Sequence, residues 1–162
     1  MTRTMAVIVA IVWMLGAAGA AAQSADDKLI MDHRLTLELI RQAVAVDRDL
    51  VTAIKKDPML LKREPKQTPG IYASAAEMQK IPELAAILKA NGITARDYLL
   101  TMMAMMATSL THEFMASGKM PGLPAGMPTH NLEFWKSNAE ALKPLEAEWK
   151  KNRAEIAALT RQ

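Results

Sequence analysis

The chain has no cysteine among its 162 residues. It therefore has no disulfide, no cysteine to carry a lipid anchor and no covalent haem attachment. It has no large charge excess either. The net charge is +3, and +2 once the leader described below is removed with Arg3, too slight to argue for a nucleic-acid partner. Basic clusters at Lys55-Lys56, Lys62-Arg63 and Lys150-Lys151-Asn152-Arg153 read as solvated charges near helix ends. No run of apolar residues reaches the ~20 needed to span a bilayer. The strongest, Ala6 to Leu15, is about half that. No alternating strand pattern and no internal repeat occurs. No Gly-x-Ser-x-Gly elbow, His-Glu-x-x-His pair or phosphate-binding glycine loop appears, which leaves hydrolytic chemistry without its usual residues.

What is present begins with a secretory signal. Arg3 supplies a short positive region, Met5 to Leu15 an apolar core, and Ala20-Ala21-Ala22 the small residues required for cleavage before Gln23. The expected organisation is a signal peptide at 1–22 and an α-helical domain at 23–162, periplasmic or secreted, with no stable membrane anchor after cleavage. The remaining 140 residues form a domain large enough to bury roughly two thirds of its unfolded surface without disulfide or metal staples.

Four helical segments follow from the spacing of apolar residues. The first runs from about Lys28 to Asp57, with Asp26 and Asp27 as N-cap residues and Pro58 as the stop. Its apolar stripe holds Leu29, Leu39, Ile40, Ala43, Val44, Leu50, Val51 and Ile54. A Pro- and Lys-rich connection covers 58–73. The second segment starts near Ser74, with Glu77 at capping-box spacing. It breaks at Pro82 and ends at Asn91-Gly92, a left-handed stop. The third runs from Thr94 to about Ser117, capped by Thr94 with Asp97 and ended by Gly118. From Tyr98 to Ala107 it is apolar nearly all round, so it belongs at the centre of its bundle. A Gly/Pro loop at 118–129 leads to the fourth, from Thr129 or Asn131 to about Thr160, with Pro144 on its polar side bending it. The predicted fold is all-α, a single four-helix-bundle-like domain behind the signal peptide.

Two segments, Ile81-Pro-Glu-Leu-Ala-Ala-Ile-Leu-Lys-Ala-Asn-Gly-Ile-Thr-Ala-Arg-Asp-Tyr98 and Asn131-Leu-Glu-Phe-Trp-Lys-Ser-Asn138, resemble a set of small, mostly uncharacterised secreted proteins of Gram-negative bacteria. The resemblance implies an exported helical fold and a periplasmic home. It carries no activity and no catalytic residue.

Polar groups on apolar stripes are the candidates for chemistry. Asp47 projects from the middle of the first stripe, and Asn138 is the matching oddity on the fourth. An unpaired buried carboxylate costs several kcal/mol. Asp47 and Asn138 therefore either pair with backbone or each other and fix helix register, or they line a polar pocket for a small ligand. His33 lies at the edge of the same stripe, about 21 Å from Asp47 at the helical rise. His112 and Tyr98 complete the ligand-binding candidates. The alternative is a metal or haem protein. Met120, Met127 and His130 could close around copper, whose chemistry suits thioether and imidazole. His112, His33 or a tyrosine could ligate haem. Against the copper reading, methionines at widely spread angles of one helix cannot all face one ion, and methionine commonly fills gaps in helix cores. The reading favoured by sequence is a non-enzymatic binding or envelope-accessory protein. Its partner is a small ligand or an envelope protein, met in a groove between the first, third and fourth segments beside the loops 58–73 and 118–129.

Overall fold

The computed structural model describes residues 20–63, 68, 70–123 and 129–161. These form seven α-helices with no strand among them, so the chain is all-α. The apolar run of the leader, the loop residues 64–67 and 69, and Met127 lie outside the described residues.

The helices are α1 (Ala20–Asp32), α2 (Leu37–Lys56), α3 (Ile71–Gln79), α4 (Pro82–Ala90), α5 (Ala95–Ala116), α6 (His130–Ser137) and α7 (Ala139–Leu159). A short 3-10 turn, Pro58–Lys62, follows α2. Its start is fixed by Asp57, whose carboxylate accepts the Met59 N–H at 3.0 Å, and by Pro58, which needs no donor at that position. As its sequence requires, α5 is central. It packs against α1, α2, α3, α4 and α6, while α7 lies along α2. The core joins Ile40, Val44, Val51 and Ile54 of α2 to Leu99, Leu100, Met102 and Met105 of α5, with Trp135, Leu142 and Ile156 closing it from α6 and α7.

Three of the sequence expectations are corrected. The first segment is two helices. The chain leaves the helix at His33 and re-enters at Thr36, which is extended and accepts the Leu39 N–H at 3.1 Å. The break turns Leu35 into the core. Its backbone is held by Asn131, which accepts the Leu35 N–H (2.9 Å) and donates to the His33 carbonyl (2.8 Å). Asp26 is then not the cap of its own helix. It lies inside α1 and accepts the Ile71 N–H at 3.2 Å, capping α3 from outside. That is the second correction: α3 starts at Gly70, whose φ of +97° favours glycine, and not at Ser74, whose hydroxyl bonds the Thr68 carbonyl. Third, the last segment is divided at Asn138, which ends α6 and precedes α7. Its side-chain amide donates back to the Phe134 carbonyl at 2.8 Å. The apolar stripe continues across the break and conceals it in the sequence. Pro144 sits exposed within α7, where the carbonyl it leaves without a donor can face water.

The Pro82 break, the Gly92 stop (φ +66°) and the Thr94–Asp97 cap form as the sequence predicts. Asn131, 8% exposed, bridges the break with both halves of its amide. Replacing it by leucine of similar volume strands a buried N–H and a buried carbonyl. Asn131→Leu should lower unfolding stability by about 2–4 kcal/mol, measured in urea, as expected for two buried groups left without partners. A loss below ~0.5 kcal/mol would contradict this role.

Candidate functional site

Asp47 is the most deeply buried polar group of α2, with no solvent exposure. Its carboxylate accepts from two helices at once. The Tyr98 phenol, in the first turn of α5, donates at 2.5 Å, and the Arg153 Nε on α7 donates at 3.0 Å. The Arg153 side chain is itself 20% exposed. One step along α7, the Asn152 amide donates to the Val44 carbonyl of α2 at 3.4 Å. Burial pushes the Asp47 carboxyl up from its ordinary range, and the Arg153 charge and the Tyr98 hydrogen bond pull it back. Burial and the neighbouring carboxylate likewise move the Tyr98 phenol well above the usual range. A phenol so placed is a hydrogen-bond donor rather than an acid.

The sequence correctly separates Asp47 from its stripe, and Tyr98 stands beside it. Asn138 does not: it is spent on the α6–α7 junction. Nor does His112 join Asp47. His112 lies near Glu146 in a charged seam between α5 and α7. There the Ser109 hydroxyl donates to Glu146 (2.8 Å), and Lys150 reaches Glu146 (2.9 Å) and Glu113 (3.2 Å). Burial works to raise Glu146, but the bonds from Lys150 and Ser109 hold its carboxyl below the ordinary range. Arg153, unlike the solvated charges expected of the Lys150-Lys151-Asn152-Arg153 cluster, is turned inward onto Asp47. Its position four residues after Trp149 and three before Ile156 places it on the apolar face, and that spacing was the available signal.

A cleft opens elsewhere, between α1, α5 and α6. It is lined by Ile30 and Met31 of α1, by Ala104, Ala107, Thr108 and Thr111 of α5, by Leu123 of the loop that follows, and by Asn131 and Leu132 of α6. Its volume of about 30 Å³ is a small fraction of the ~150 Å³ of a cavity that takes up a benzene-sized ligand. The polar lining is already engaged. Thr108 and Thr111 donate back to the Ala104 and Ala107 carbonyls (2.7 and 2.8 Å), and Asn131 is bound to the 33–35 segment. What the cleft offers a visitor is aliphatic surface. Elsewhere on α5, Leu110 and Phe114, one turn apart, are 46% and 41% exposed.

Among the described residues no group of three or more His, Asp or Glu side chains could hold a metal ion. Met102 and Met105 are buried in the core. Met120 sits in the loop after α5, its N–H on the Phe114 carbonyl. His130 opens α6 with its Nε2 shielded from solvent and without a hydrogen-bond partner. Met127, the third proposed copper ligand, is outside the described residues. Among those residues no helix is long and apolar enough to cross a membrane.

The Asp47 centre should behave as a structural lock. Arg153→Met leaves a carboxylate buried and half-paired, and should cost about 3–5 kcal/mol of stability. Asp47→Leu combined with Arg153→Met should cost at least about 1 kcal/mol less than Arg153→Met alone, because no uncompensated charge remains. Urea unfolding of the single and double variants checks this, and equal losses would contradict it.

No family model, curated protein sequence or solved structure matches the chain.

Proposed function

We propose that the mature chain is an exported, non-enzymatic helical binding protein of the cell envelope. It receives an apolar side chain of an envelope partner in the cleft between α1, α5 and α6. The observation that carries this reading is the chemistry of that cleft. Its polar side chains are bonded within the fold, and the rest of its lining is aliphatic. A site whose hydroxyl protons are already spent on backbone carbonyls is poorly equipped to orient a polar substrate or stabilise developing charge, which favours contact over catalysis. Its small volume favours one protruding side chain over an engulfed small molecule. The leader pattern at 1–22 and the resemblance to small secreted proteins of Gram-negative bacteria support the compartment. The stacking of α2, α5 and α7 with the α6 end supports a bundle-like reading of the domain.

Two measurements test the proposal. Expression of the full chain in a Gram-negative host, followed by fractionation and intact mass, should yield a periplasmic product beginning at Gln23. Retention of the uncut chain in the membrane or cytoplasm would contradict export. In methyl-labelled mature protein, N-acetyl-leucinamide at millimolar concentration should shift the Met31 ε-methyl resonance, since so few heavy atoms give only weak binding. N-acetyl-asparaginamide should not shift it, and Ala107→Leu, which fills the cleft, should abolish the response. Equal responses to the two amides would remove the apolar-side-chain reading.

A further inference from the structure

The wall of the cleft supplied by α1 is held by few polar contacts, and one of them is made by an imidazole. His33, directly after α1, hydrogen-bonds through Nε2 to the Thr101 hydroxyl of α5 at 3.0 Å, and that threonine has no solvent exposure. His33 also sits at the point where the chain leaves one helix before entering the next, and Ile30 and Met31, three and two residues earlier, line the cleft. We propose that His33 is an acid-sensitive latch: neutral, it holds the end of α1 against α5, and protonated, it releases that end and opens the cleft. The inference rests on the cleft being the binding site, and it names the regulation of that site.

The charges acting on His33 come from α5. Asp97 favours the protonated ring and Arg96 opposes it, while α6 faces the segment with the neutral amide of Asn131. Burial outweighs the pull of Asp97, so the docked imidazole titrates below its ordinary value of 6.5. The sign follows. An imidazole that binds its proton less readily when docked contributes stability to docking that is complete above about pH 6.5. That contribution is lost as pH falls from 6.5 toward the docked value. Within that window the docking equilibrium of α1 weakens by up to about tenfold per pH unit.

The Met31 ε-methyl resonance of the mature protein, with no ligand added, reads the latch directly. That of Met105, which is fully buried in the core, reports the fold as a whole. Between pH 7.5 and 5.0, Met31 should move toward the position of a solvated methionine with a midpoint below 6.5, while Met105 stays in place. His33→Gln should remove the movement. Thr101→Val, which deletes the partner hydroxyl and keeps its volume, should leave Met31 displaced already at pH 7.5, so the test stands if the glutamine variant does not fold. A static Met31 in the native sequence, an unchanged pH response in His33→Gln, or Met105 moving together with Met31 would overturn the latch. Because no ligand takes part, this failure is distinct from failure of the cleft to bind an apolar side chain.

Discussion

A carboxylate at zero exposure in the middle of a helix must be matched by donors. The three long helices of this protein are arranged so that Asp47 is. Tyr98 comes from the start of α5 and Arg153 from the last third of α7, so one side chain of α2 fixes the rotation and register of both neighbours. An apolar residue at position 47 would pack without choosing among registers. The charged group accepts only the arrangement in which both donors reach it. Buried ionic contacts add little net stability compared with apolar packing, whereas removal of one partner is strongly destabilising. In a chain with no disulfide and a core made largely of flexible methionine and aliphatic side chains, that selectivity defines a single structure.

A second polar clamp defines the other end. Asn131 holds both faces of the 33–35 break, and His33 beside it reaches Thr101. These contacts carry α1 back over α5 and create the cleft as the space that α1, α5 and α6 do not fill. The two centres differ in chemistry. The Asp47 centre sets a carboxyl group between a phenol and a guanidinium deep among three helices. The 33–35 clamp occupies Asn131, while Thr108 and Thr111 bond their own helix, and the lining left over is aliphatic.

Much of the helical content was legible in the sequence because apolar spacing and caps agree over long stretches. Ile40, Ala43, Val44, Val51 and Ile54 are buried as the 3.6-residue period requires, and Pro82, Gly92 and Thr94 punctuate as expected. The breaks at 33–36 and 138 were hidden because the apolar stripe runs through both. Their causes are long-range: Asn131 is 96 residues from Leu35, a contact no local pattern encodes. The same holds for the site. Asp47 stood out from its own helix, but its partner Arg153 lay 106 residues away in a run of basic residues that reads as solvent-facing. The cleft left no sequence signal, being a gap between elements rather than a motif.

The arrangement of all three long helices turns on the Arg153 Nε–H being donated to a buried carboxylate. Nitrogen-15 NMR of the Arg153 guanidinium measures that bond. The account predicts a resolved Nε–H resonance with exchange slowed at least about tenfold relative to an exposed arginine such as Arg48, and its collapse in Asp47→Asn. An Arg153 Nε–H that exchanges at the rate of Arg48, or one unaffected by loss of the Asp47 charge, would contradict it.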